Sequence, residues 1–208
     1  MKFGRALWSL GSLLINLTII IHLYMSRRAP IGDFSTRMAY IKQNWDVYGL
    51  NWRIEFVLMA MIAAGAVFFA TRTRTLSWAI VSVGQVFLLV TYPIMLTGYS
   101  SASPDLTLLS YRLATEIFVF GNLVFCCGLA HLYLNDEALA TWIRYPALAL
   151  AVLGAVNFLA CFFDLISWEQ GLLIAPLLQV LYLINSYYGL IVPLSRARTS
   201  RRSRTALA

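Results

Sequence analysis

Charge is scarce in this chain. Only 12% of its residues are Asp, Glu, Lys or Arg, where a soluble domain carries about a quarter. That leaves little outside apolar segments and no room for an attached soluble domain, so one helical bundle is the natural unit. Cysteine is sparse too. Cys126, Cys127 and Cys161 all fall inside apolar runs and form no C-x-x-C pair, which excludes a disulfide framework and leaves thiols that behave as small hydrophobes. Histidine occurs at His22 and His131 alone, near opposite ends of the expected spans, which excludes a shared bis-His haem. Cys127 and His131 share a helix face, but two ligands fall short of the three or four of a zinc site. Both lysines, Lys2 and Lys42, lie outside the apolar runs, so an intramembrane retinal attachment is excluded. No Walker loop, nucleophile elbow or H-E-x-x-H motif occurs, and no serine and histidine stand in a motif for intramembrane proteolysis. These absences point to no cofactor and no metal, and lean away from an enzyme.

What is abundant is apolar, at 60% of the chain. Six segments dominate: Arg5–Tyr24, Arg53–Thr71, Ser77–Tyr99, Arg112–Leu134, Tyr145–Ile166 and Gly171–Leu194. Each reaches about 20 residues, enough to cross a hydrocarbon core of about 30 Å as a helix. Lipid offers the backbone no partners, so such segments close their hydrogen bonds internally. Barrel strands alternate over about 10 residues, and these runs do not. The first apolar stretch, Ala6 to Met25, exceeds the roughly 7–15 residues of a signal core and is followed by no small-x-small pattern; it reads as a retained helix. The expected fold class is all-α: a polytopic transmembrane bundle of six helices with a short amphipathic helix in the first outer loop. Residues 1–194 make the six-helix transmembrane domain and 195–208 a basic, disordered cytoplasmic tail.

Six crossings put both termini on one side, and the positive-inside rule chooses it. With the N-terminus cytoplasmic, the inner pieces carry Lys2, Arg5, Arg72, Arg74, Arg144 and five tail arginines. The outer pieces carry the fewer Arg27, Arg28, Arg37, Lys42, Arg53 and Arg112. The excess of arginine over lysine suggests a GC-rich bacterial genome, hence a multi-pass protein of the cell (inner) membrane. The tail places Arg196, Arg198, Arg201, Arg202 and Arg204 close together, a cluster that gains about 1 kcal/mol per basic residue at an anionic leaflet. Its expected partner is anionic lipid, with membrane lipids and a membrane protein as partners elsewhere; no folded surface accompanies it to read nucleic acid.

The long connection Met25–Trp52 carries Phe34, Met38, Ile41 and Trp45 at helical spacing, with Arg37 and Lys42 between. Asp33 or Ser35 is the expected cap. The spacing predicts a short helix on the outer membrane surface, or a lid over an outer cavity. Ala147, Ala151 and Ala155, and likewise Ala60 and Ala64, recur every four residues as expected packing faces. Pro146 is expected at a first helical position. Pro93 and Pro176 are expected inside their helices, bending them and hinting at an opening toward the outside.

Two sets of polar residues carry the functional reading. His22, Glu55, Glu116 and Asp164 come from four segments and fall in one outer leaflet, with Arg53 and Arg112 beside them. Arg112 and Glu116 are spaced to pair along one helix face. Intramembrane ionisable groups are functional candidates, and Glu116 ranks first because it lies deepest. The competing reading is interfacial charge or a structural ion pair. A second set, Asn16, Gln85, Asn122, Asn157 and Gln179, falls mid-segment on five helices, with Asn185 further along the sixth. These amides bond across helices at about 0.6 kcal/mol each, or line a solute or headgroup pocket. Asn16-Leu17-Thr18 matches a glycosylation sequon, but at mid-membrane depth the match is coincidental.

The stretch DFSTRMAYIKQNWDVYGLNWRIEFVLMAMIAAGAVFFA, residues 33–70, together with YRLATEIFVFGNLVFCCGLAHLYL, residues 111–134, resembles the first loop, second helix and fourth helix of uncharacterised bacterial six-helix integral membrane proteins. The resemblance implies the six-helix layout and no activity or site residue. The leading functional reading is a non-enzymatic protein that binds or passes a small molecule or lipid, or serves as an accessory membrane subunit. The alternative is an intramembrane enzyme acting on a lipid or lipid-linked substrate through the outer-leaflet carboxylates. A purely structural subunit is the third.

Overall fold

The computed structural model describes residues 2–30 and 34–192, and in these it is helical throughout, with no strand. The helices are α1 (Lys2–Arg28), α2 (Phe34–Gln43), α3 (Trp45–Thr73), α4 (Leu76–Ser100), α5 (Pro104–Asn135), α6 (Thr141–Phe162), α7 (Trp168–Gly171) and α8 (Ala175–Ile191), with a single 3-10 turn, Leu172–Ile174, before α8. Five of them, α1, α3, α4, α5 and α6, are long and apolar enough to cross a membrane, so the chain is a multi-pass membrane protein. The basic tail and Asp33 lie outside the described residues, and the tail's expected disorder and lipid contact with them.

The apolar windows locate the helices but not their ends. α3 begins at Trp45 rather than Arg53, and α5 at Pro104 rather than Arg112. The expected long loop is nearly all helix: α2 and α3 are separated by Asn44 alone, whose N–H still bonds the Tyr40 carbonyl at 3.1 Å. α5 starts early because Ser103 caps it, its Oγ accepting from the Leu106 N–H at 3.4 Å, with Pro104 in the first turn. α3 stops at Arg74, whose backbone is left-handed at φ 53°, the place where glycine usually ends a helix, and Asp164, two residues past the end of α6, is left-handed too at φ 54°.

Two proline expectations are corrected. Pro146 sits inside α6, whose first residue is Thr141, not at a first helical position. Pro176 sits in the first turn of α8, where its missing N–H costs nothing, not within a helix it could bend. The expected sixth segment, starting at Gly171, is instead broken into α7, the 3-10 turn and the 17-residue α8. Pro93 does lie within α4, which continues to Ser100.

The long helices form a ring. α1 packs on α3 and α8, α3 on α4, α4 on α5 and α5 on α6, while α6 only grazes α8. Contact without a hydrophobic effect depends on close approach, and glycine supplies it. A Cβ on Gly84 of α4 would stand 2.5 Å from the Phe125 backbone nitrogen of α5, and one on Gly128 of α5 would stand 2.7 Å from that of Val81. The alanine faces are met in part. Ala147 and Ala151 are fully buried on α6, but on α3 it is Ala63 and Ala66 that face inward while Ala64 is exposed.

The termini meet at one end of the ring. Arg5 of α1 donates through Nε to the Gly189 carbonyl of α8 at 2.8 Å, and also bonds the Leu190 carbonyl, placing a cation on the negative end of that helix. Beside it Trp8, Phe69, Trp78 and Tyr188 pack ring to ring, with Phe69 stacked on Trp78 at 4.4 Å. This is the terminal end. At the other, the α2 end, α2 buries Met38 and Ile41, and Lys42 donates to the Ser101 carbonyl at 2.7 Å and the Thr107 hydroxyl at 3.1 Å.

Candidate functional site

Helical phase decides which polar residues meet. The buried stripe of α3 runs through Tyr48, Asn51, Trp52, Glu55, Leu58, Met59, Ile62, Ala66 and Phe69, a three- and four-residue spacing that puts Glu55 on the inward face. At 1.5 Å per residue, Glu55 lies about 15 Å along the axis from Trp45. It is 6% exposed. Asn51, one turn back, donates from Nδ2 to Glu55 Oε1 at 2.9 Å and reaches the Thr18 carbonyl of α1 at 3.4 Å. The Tyr92 hydroxyl of α4 lies near the carboxyl, as does the Thr18 hydroxyl, which donates to the Ile15 carbonyl of its own helix at 2.9 Å.

The site continues on α4 and α8. Gln85 lies two turns from Tyr92 on the buried face of α4 and is fully buried. Neither its Oε1 nor its Nε2 has a hydrogen-bond partner among the described residues. The Tyr182 hydroxyl of α8 faces it without closing a bond of normal geometry, and the Tyr182 ring stacks on Phe125 at 5.6 Å. One turn from Tyr182, Gln179 Nε2 is buried and likewise unpartnered among the described residues. On α1, one turn beyond Thr18, His22 has its Nδ1 buried without a partner among the described residues and its ring 6.4 Å from Trp52. Trp52 is in turn ringed by Trp45, Tyr48 and Tyr99.

The other outer-leaflet candidates do not join this group. Arg112 and Glu116 are exposed on α5, because the buried stripe that faces the ring passes through Ser110, Ala114 and Gly121 on the opposite side. Asp164 is exposed in the turn that ends α6. Arg53 is exposed on α3.

The mid-membrane amides divide. Asn16 donates to the Ser12 carbonyl at 2.8 Å and Asn122 to the Phe118 carbonyl at 2.9 Å, each within its own helix. Asn157 crosses from α6 to the Gly171 carbonyl of α7 at 3.2 Å. Asn185 gathers the terminal end: its carbonyl accepts from Trp8 Nε1 at 2.8 Å and its Oδ1 from the Tyr133 hydroxyl at 2.6 Å. One turn along α8, the Tyr188 hydroxyl donates to Asp136. Sequence reasoning missed Asn51, Tyr92, Tyr182 and Tyr133. The signal that finds the first three is shared phase: each falls three, four or seven residues from a polar residue already singled out, while Tyr133 has no such neighbour.

No known protein family, no curated protein and no solved structure matches the chain. What the site can do rests on its own chemistry. A carboxyl, two phenols and two amides converge inside the ring. Among the described residues no lysine or arginine neutralises Glu55, whose polar neighbours are Asn51, Tyr92 and Thr18. No three His, Cys, Asp or Glu side chains gather among the described residues. Cys127 and His131 are both exposed, the latter with Nδ1 bonded to the Ser77 hydroxyl at 2.7 Å.

Proposed function

We propose that this chain is a non-enzymatic protein of the bacterial inner membrane that binds, or passes, a small cationic or polar species at an interior site centred on Glu55. One observation carries the reading: a carboxyl buried in the ring is hydrogen-bonded by Asn51 but, among the described residues, opposed by no basic side chain. Intramembrane carboxylates are expensive and mark functional paths, and a buried carboxyl with no basic partner either takes up a proton or has its charge cancelled by a bound cation. In this reading α8 makes a sixth crossing, both termini are cytoplasmic, α2 caps the outer mouth with its apolar face down, and the arginine tail rests on anionic lipid. Acid–base work on one substrate needs two groups within reach of it. Glu55 faces inward while Glu116 and Asp164 face outward, so the enzyme alternative draws no support from them.

The test is ligand-linked stability of the detergent-extracted protein. Wild-type unfolding temperature is expected to rise with added small organic cations or with acid. Glu55→Gln is expected to be flat to both, and Glu116→Gln to follow wild type. A Glu55→Gln protein that still responds like wild type overturns the reading.

A further inference from the structure

We infer that the species taken up at Glu55 is the proton, and that a row of buried hydroxyl, carboxyl and amide groups carries it across the ring. This rests on the reading of Glu55 as the binding group.

Space comes first. Rings close in around Glu55: Trp52 lies 5.0 Å from Tyr99, and Phe56 lies 6.3 Å from Tyr92. Two clefts of the molecule lie elsewhere. One of about 370 Å³ opens on the flank between α6 and α8 at Trp142, Pro146 and Tyr187; another of about 290 Å³ opens at the terminal end beside Thr75 and Asp136. Neither includes Glu55. Glu55 itself is 6% exposed, and of the cations the proton alone needs no cavity of its own.

Continuity comes second. From the α2 end the row runs His22, Glu55, Tyr92, Tyr182 and Gln85. On α8 Gln179, Tyr182 and Asn185 repeat every three residues, so one face leads on to Tyr133, which bonds Asn185, and then to the Tyr188–Asp136 pair. The bonded links of this row are Asn51–Glu55, Tyr133–Asn185 and Tyr188–Asp136; the steps that join them across the ring are the proposal. Gln85, fully buried with both amide atoms unpartnered among the described residues, has one donor and one acceptor free to hold a water beside the Tyr182 hydroxyl. Between hydroxyl, carboxyl and water an O–H bond breaks on the donor as one forms on the acceptor, which passes its own proton onward; His22 takes a proton on one ring nitrogen and gives one from the other, and the amides of Gln85 and Asn185, which have no O–H to give, only position the groups between which the proton moves. No electrons change hands, and rotation of the hydroxyls resets the row.

Charge comes third. The groups facing Glu55 are Thr18 from α1 and Tyr92 from α4, with Tyr182 of α8 acting on it at longer range and His22 one turn along α1. α2 brings Arg37, whose charge acts on His22, Tyr48 and Tyr99 rather than on Glu55. A fixed cation at the mouth and none at the carboxyl leaves Glu55 as the place where a mobile positive charge settles.

The experiment is proton flux into phosphatidylcholine–phosphatidylglycerol vesicles carrying the full chain, a trapped pH dye and a valinomycin-clamped potassium gradient. Wild type is expected to exceed protein-free vesicles at least tenfold. Glu55→Gln is expected to fall to the protein-free level, Gln85→Leu and Tyr182→Phe to lose several-fold, and Glu116→Gln to match wild type. Should Glu55→Gln fail to fold, Glu55→Asp replaces it, with a several-fold loss expected. Wild-type flux at background, or undiminished flux without Glu55, overturns the proton assignment. A parallel arm follows tetraethylammonium uptake. Glu55-dependent uptake of that ion without Glu55-dependent proton flux overturns the proton while leaving the binding site standing; Glu55-independence in both arms overturns both.

Discussion

Asn185 receives two donors from two helices, the Trp8 indole on its carbonyl and the Tyr133 phenol on its side chain. Tyr133 is 1% exposed, so its hydroxyl has no water to turn to. Asn185→Ala removes the acceptor and leaves the phenol buried and unpaired, which costs about 1–3 kcal/mol. A thermal melt of the purified variant should show that loss, whereas Asn185→Asp, which keeps an oxygen at the same place, should retain the bond. The same scale explains what could be read beforehand. Glu55 and Glu116 look alike in composition and depth, and ranking by depth favours Glu116. Helical phase separates them: Glu55 shares its face with Tyr48, Trp52 and Ile62, all buried, while Glu116 stands two residues from the buried Ala114, on the other side of α5. Depth is one coordinate and azimuth the other, and hydropathy windows report only the first.

Among the elements, α4 and α5 form the tightest pair, because Gly84 and Gly128 let their backbones touch. Gly84→Ala places a methyl where the Phe125 backbone already is, and backbone cannot step aside as a flexible side chain can. The helices must separate, at a cost of about 1–3 kcal/mol for overpacking, and the melting temperature should fall with no gain from better helix propensity. Gly84 and Gly128 were not singled out from sequence, since a lone glycine in an apolar run carries no partner with it. The start of α5 was legible: Ser103-Pro104-Asp105 supplies a cap, a first-turn proline and an acid for the helix's positive end. Hydropathy alone placed that start at Arg112, because the first two turns hold polar residues. Similarly, the sixth segment was read as one helix from Gly171 to Leu194, whereas Ser167 and Gln170 build a reciprocal cap that starts α7 upstream and a 3-10 turn intervenes before α8.

For the molecule as a whole, composition alone made the multi-pass reading available, because so many apolar residues in runs this long have no other stable use. The sidedness rests on where the basic residues fall, and it is tested by reporter fusions. A phosphatase active only outside the cytoplasm should be silent when fused after residue 208 or in the Arg72–Arg74 turn, and active in the turn between α6 and α7. Activity at residue 208 would reverse the orientation or remove the sixth crossing. The ring has a further consequence for how the protein comes into being. α1 leaves the ribosome well before α8, yet many of its contacts, including the Trp8 and Arg5 bonds, belong to that later helix. In between, the indole of Trp8 and the hydroxyls of Ser9 and Ser12 therefore wait beside lipid or an insertion chaperone. The ring shuts only when the later helix arrives to meet the earlier one, and a chain cut short before that point would keep α1 half-clothed.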